Sequence, residues 1–273
     1  MPTVAFNPGK PLSADAGDIL RDLVRDGAVA KTPSANFLNV GTRGAGGETQ
    51  KFRFVTPPIV SKWGVGTAYE GRPQKPTLKM DVAQNGDNKF FYDAMRDHVE
   101  PALLELAIAN ASEFVKKPNR RSADAIKSDF GKVIKPAADE RYAPTISFKI
   151  PLANGTPEAE WGNPACWNIL VQDANGEEVP KSRLNERNLR VIVLTELKGL
   201  VCSNTGISIQ LNAIRVRIVQ EAEAEAGEDA WGDCEVVAKA ADRKRKRELQ
   251  AKEAAEAGVD GDDEEEEGGE GME

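Results

Sequence analysis

The chain has 273 residues, of which 40% are hydrophobic and 29% charged, with a formal net charge of −8 at pH 7. That is the composition of a globular protein with room for a large buried core. It excludes a membrane-spanning helix, since no apolar run approaches the roughly 18 residues one needs, and it argues against a disulfide or zinc scaffold, since Cys166, Cys202 and Cys234 stand far apart with no CxxC pair.

The cysteine usage fits a reducing intracellular compartment, and Met1–Leu12, with two prolines and few apolar residues, does not read as a signal peptide. The charge is divided along the chain. From Gln220 onward 20 Asp/Glu stand against 7 Lys/Arg, a net −13, and the residues before it hold the other 29 Lys/Arg and 24 Asp/Glu, a net +5. A cationic body, residues 1–219, is joined to an acidic low-complexity tail, residues 220–273. A polyanion of this kind either competes with nucleic acid for a cationic groove or serves as a solubilising disordered segment.

In chain order, Ser13–Val29 has Ile19, Leu20, Leu23 and Val24 at helical spacing. A β-rich block follows. Ala35–Val40 reads as a strand, Gly41–Gly47 as a glycine-rich hairpin loop, and Lys51–Val55 alternates with Phe52 and Phe54 on one face and Lys51 and Arg53 on the other. Ile59–Val65 and Thr77–Val82 read as further strands. The period then changes. Asn88–Val99 and Pro101–Val115 predict helices, and Ser122 can cap a third that carries Ile126, Phe130 and Val133, so residues 88–135 form a helical insertion. Strands return at Thr145–Ile150, Cys166–Gln172, Leu189–Thr195, Lys198–Ser203 and Gly206–Val219, with turns at Ala174–Gly176 and Asn204–Gly206. In the last strand Arg215 and Arg217 face away from the apolar residues. Beyond it, Ala238–Ala257 could form a marginal helix, and Gly258–Glu273 is too polar to bury a core and is expected to be disordered.

The catalytic inventory is thin. His98 is the single histidine, and no GxSxG, HExxH, Walker A or dinucleotide fingerprint occurs, so no enzyme, cofactor or metal is expected. Nucleic-acid chemistry is better represented, because a single-strand binder needs a cationic track for phosphates and aromatic faces for bases. Lys51, Arg53, Lys62, Arg72, Lys75 and Lys79 are interleaved with Trp63 and Tyr69; Trp161 and Trp167 flank Cys166; Arg215 and Arg217 extend the basic set. For each tryptophan a core position is the competing reading, and for the cations a solvated face. Tyr69, between Gly66 and Gly71, is the preferred stacking residue. The run Arg243–Arg247 reads either as a nuclear-import signal or as a charge-balanced stretch of the tail.

The ending Gly206-Ile207-Ser208-Ile209-Gln210-Leu211-Asn212-Ala213-Ile214-Arg215-Val216, followed by an acidic tail, resembles the glycine-led terminal strand of single-stranded-DNA-binding proteins of phages and large DNA viruses. The resemblance implies a mainly β, OB-like barrel with a helical insertion. It implies non-sequence-specific binding of single-stranded DNA in viral replication, recombination or repair. The setting would be the nucleus or viral replication site of an infected cell, or the bacterial cytoplasm for a phage. The tail would be autoinhibitory and a contact for replication proteins, and the chain could form a homo-oligomer. Tails of this family often end in an aromatic residue that docks partners. This one ends Gly269-Glu270-Gly271-Met272-Glu273, which favours autoinhibition over recruitment. The alternative reading is an acidic-tailed interaction protein, akin to a histone chaperone or a virion structural component.

Overall fold

Period-two alternation builds most of the fold. The computed structural model describes residues 3–44, 46–69, 72–139 and 141–221, all within the compact unit Met1–Ala222. Nearly all of the acidic tail, including the helix expected at 238–257, the basic run and the disordered ending, lies outside the described residues.

The chain opens with β1 (Thr3–Ala5) and helix α1 (Ala14–Arg21), whose first turn is capped by the Ser13 hydroxyl accepting the Ala16 N–H at 3.3 Å. The helix is shorter than its spacing predicts. Leu23 and Val24 leave it as β2 (Leu23–Arg25), because their backbone pairs with Thr42 and Gly41 instead. Then come β3 (Ala30–Lys31), β4 (Ala35–Arg43), β5 (Thr49–Lys51), β6 (Arg53–Val55), β7 (Ile59–Ser61), β8 (Val65–Tyr69) and β9 (Arg72–Asp81). The glycine-rich stretch is only partly a loop, since β4 runs through Gly41 to Arg43 and pairs with β5. After the helices α2 (Lys89–Ala94), α3 (Glu100–Ala109), α4 (Ala111–Phe114) and α5 (Ala123–Asp129) come β10 (Ile134–Lys135), β11 (Thr145–Lys149), β12 (Leu170–Gln172), β13 (Leu189–Ser203) and β14 (Ile207–Glu221). The two strands expected at 189–195 and 198–203 are one, kinked by bulges at Leu194/Thr195 and Leu197/Gly199.

The sheet closes on itself. β13 pairs with β7, β7 with β9, β9 with β11, β11 with β14, and β14 with β13. Each contact is antiparallel except β11–β14, which is parallel at Lys149↔Asn212. With β4 to β7 taken as one long broken strand wrapped along β13, this is the five-stranded Greek-key ring of an OB-type barrel. Its interior is packed by Phe52, Phe54, Leu78, Met80, Ile146, Phe148, Val193 and Leu211, all 3% exposed or less.

The helices enter between β9 and β11 and pack on the barrel through Phe91, whose ring lies 6.2 Å from Phe54 and 4.9 Å from Phe6. Pro101 does not start a separate helix. Proline has no N–H for the carbonyl four residues back; here Met95–Val99 runs as a π turn, with Glu100 N–H on the Met95 carbonyl, and the helix continues past Pro101. Glu100 is buried and accepts the N–H groups of Val133 and Ile134 at 2.8 and 3.3 Å, tying α3 to the return into β10. Burial pushes its pKa up, against the two N–H donors and Lys132, which pull it down. At the other end Arg25 joins Asn110 and Glu113 at 2.8 and 2.9 Å. His98 sits in the π turn, half-buried. Among the described residues no helix is long and apolar enough to cross a membrane, and no cluster of three metal-ligating side chains occurs.

Candidate nucleic-acid interface

Residues directly opposite on paired strands share a face. Leu78 and Met80 of β9 pair with Phe148 and Ile146 of β11, and all four point inward. The alternate residues must therefore point out: Thr77 beside Lys149, Lys79 beside Ser147, Asp81 beside Thr145, with Lys75 one step further along β9. This is the outer face of the second and third barrel strands, the surface on which OB folds take up oligonucleotides.

Lys75, Lys79 and Lys149 are exposed here, and none forms an ion pair with a described carboxylate. Lys149 is held in an unfavourable state: partial desolvation, and then the neighbouring Lys75 charge, push its pKa below the usual lysine value. Lys75 also lies over the ring of Trp161, its Nζ 5.7 Å from the centroid. Trp161 follows the 3₁₀ turn Glu158–Glu160, and its carbonyl accepts the Trp167 indole N–H at 3.0 Å. Trp167 is only 1% exposed. The expectation that it stacks on bases is corrected: its indole is spent anchoring the loop that presents Trp161. Glu158 and Glu160 bound the face on that side.

The other expected residues divide. Lys62 joins the face at its far end, with Nζ 3.1 Å from Asp81. Trp63 beside it is 67% exposed, with the Arg187 guanidinium 5.6 Å from its ring centre. Arg72 lies at the end of the β8–β9 ribbon, backbone-paired with Tyr69; the Tyr69 side chain is outside the described residues. Lys51 and Arg53 point outward but onto another side of the barrel, where both meet Glu196, at 3.6 and 3.4 Å. Arg215 and Arg217 are exposed on β14 beside Leu170 and Gln172 of β12, and β14 runs between β12 and β13 there. The turn between β13 and β14 is packed rather than open, because Gly131 N–H donates to the Ile207 carbonyl at 2.7 Å. Sequence reasoning missed Lys149, although the alternation of Thr145–Ile150 puts it outward.

No protein-family model matches the chain, and a search of curated proteins returns no significant match. Among solved structures, the single-stranded DNA-binding protein from bacteriophage Enc34 is similar at 13% identity, covering 78% of this chain and 98% of that one, with a TM-score of 0.36. The gp2.5 single-stranded DNA-binding protein encoded by bacteriophage T7 is similar at 15% identity over 67% and 94%, with a TM-score of 0.39. The Enc34 protein in complex with ssDNA gives 14% identity over 72% and 94%, with a TM-score of 0.33.

Proposed function

We propose that this chain binds single-stranded DNA, without reading its sequence, across the outer face of β9 and β11, in replication, recombination or repair of phage or viral DNA. The observation that carries the reading is the set Lys75, Lys79 and Lys149 on one face beside Trp161, none of them in an ion pair with a described carboxylate. Phosphates meet the lysines and a base stacks on the indole. Trp63, at one end of the same ribbon, offers a further stacking surface, and Tyr69, at the other end, is the residue that the sequence favours for that role. Unpaired bases are required, since stacking on a barrel face leaves a duplex nothing to insert. The acidic segment 220–273 acts as a tethered competitor for this face, at an effective concentration on the order of millimolar, and offers replication proteins a contact.

The test is anisotropy of labelled oligo-dT and of a duplex, with the intact chain and with residues 1–222, at two salt concentrations. Oligo-dT is expected to bind more tightly than the duplex, and truncation to tighten it most at low salt, where the tail is least screened. Equal affinity for duplex would overturn the single-strand reading. Truncation without effect at low salt would remove the autoinhibitory role, and loss of a basic protein partner on truncation would favour the chaperone-like alternative.

Trp161→Ala is expected to weaken oligo-dT binding by about 1–3 kcal/mol, with the melting temperature little changed because the ring is only half-buried. Unaltered affinity would move the stacking role to Trp63 or Tyr69.

A further inference from the structure

Cations of β5, β6 and β13 converge on one carboxylate. Glu196 is 6% exposed, yet Lys198, Arg53 and Lys51 lie 3.0, 3.4 and 3.6 Å from its oxygens. Burial alone would push its pKa up, but the three cations outweigh that and hold it below the usual carboxylate value. Glu196 forms part of the wall of an open cleft of about 540 Å³, with Arg53, Lys181, Lys198, Asn212 and a second carboxylate, Glu178. The Arg53 Nε is buried and meets no acceptor among the described residues, so the guanidinium has hydrogen-bonding capacity that its contact with Glu196 does not use.

The cleft lies round the barrel wall from the β9–β11 face, on the same row of ladder partners. Thr77 is opposite Lys149, Lys149 opposite Asn212, Asn212 opposite Glu196, and Glu196 opposite Arg53. One row of outward residues thus crosses the barrel. Strands lie about 4.8 Å apart, so along the wall the Glu196 backbone is roughly 10 Å from that of Lys149, and a strand reaching both must follow the curve of the barrel.

We propose that this cleft is a second phosphate site on the path of the same DNA strand, and that Glu196 is a built-in anion that holds its cations in place and lowers its affinity. This rests on the reading of the β9–β11 face as a single-strand binding surface. The carboxylate is buried and cannot leave, so an arriving phosphodiester takes the open side of Arg53 and Lys198 and shares them. Glu196 then sets an upper limit on how tightly the strand is held, which suits a protein that must be displaced from DNA.

The sign of the effect separates this role from a purely structural one. In the full-length chain, Glu196→Gln is expected to tighten oligo-dT binding about fivefold, the upper end for one ion pair formed on the solvent side of the freed cations. The log–log salt dependence should steepen by about 0.7, the increment for one further neutralised phosphate on a single strand. Lys198→Ala, on a side chain 43% exposed, is expected to weaken binding, and keeps the test open if the glutamine variant folds poorly. Melting curves with inorganic phosphate provide a further arm. Unchanged or weaker oligo-dT binding by a folded Glu196→Gln variant would overturn the proposal, while weakening by Lys79→Gln in the same assay would leave the β9–β11 reading standing. Phosphate-dependent stabilisation of Glu196→Gln without tighter oligo-dT binding would assign the cleft to free phosphate and overturn the strand path. Failure of the unaltered chain to bind oligo-dT would overturn both.

Discussion

Replacing Lys75, Lys79 and Lys149 together by glutamine is expected to cost on the order of a hundredfold in oligo-dT affinity at low salt. The log–log salt slope should become shallower by about 2, at roughly 0.7 for each single-strand phosphate that a lysine no longer neutralises. The fold should tolerate the change, since all three side chains are exposed on the outer face and form no ion pair with a described carboxylate. Lys149 provides an internal check. Its pKa is depressed in the fold, so in the window between that value and the ordinary lysine value the unfolded chain binds more protons, and stability rises with pH. Below the window the charge costs stability. Lys149→Gln should therefore melt no lower than the parent at neutral pH, and the rise of melting temperature with pH across the window should flatten. A full-strength salt slope in the triple variant would place the DNA elsewhere.

Gly199→Ala is expected to cost about 3–5 kcal/mol, a large part of the stability of an ordinary domain. Gly199 lies at a bulge of β13 with φ +134°, outside the range an L-residue adopts at low cost. An added Cβ would sit 2.0 Å from the Leu38 carbonyl oxygen and 3.0 Å from Asn39 Cα. Those are backbone atoms of the paired strand, so no rotamer change relieves the clash and the β4–β13 pairing must part. Gly27→Ala, where φ is +74° but nothing lies within 4 Å, should cost only about 1 kcal/mol. Urea midpoints of both variants check the pair. Equal midpoints would mean that β4 and β13 do not approach as described.

Much of this architecture is legible in the residues. Phe52 and Phe54 against Lys51 and Arg53, or Leu78 and Met80 against Lys79, announce inward and outward faces by alternation alone. The change of period after Asp81 marks the helical insertion. What alternation cannot say is which outward. A barrel has an outside on every side, so Lys51 and Lys79, both outward, face different neighbours. Register decides this, and register is set by strands distant in sequence: Arg53 meets Glu196 and Thr77 meets Lys149. The tryptophans show the same limit. Trp161 and Trp167 are six residues apart in similar polar surroundings. Only packing assigns one to the surface and the other, 1% exposed, to the interior.

The helical insertion also fixes when the cationic face can exist. β9 ends at Asp81 and β11 begins at Thr145, and these two residues are themselves partners in the ladder. Relative to a two-residue hairpin, closing so long a connection costs about 3 kcal/mol in chain entropy, and non-local pairings of this kind form slowly. β13 and β14, joined by a short turn, can pair early on local contacts. By contact order, the lysines on β9 and the lysine on β11 are expected to meet late, once α2 to α5 have packed and Glu100 has secured the return at Val133 and Ile134. On that expectation a partly folded chain carries the charges without the surface, and assembly of the face is a late step in folding.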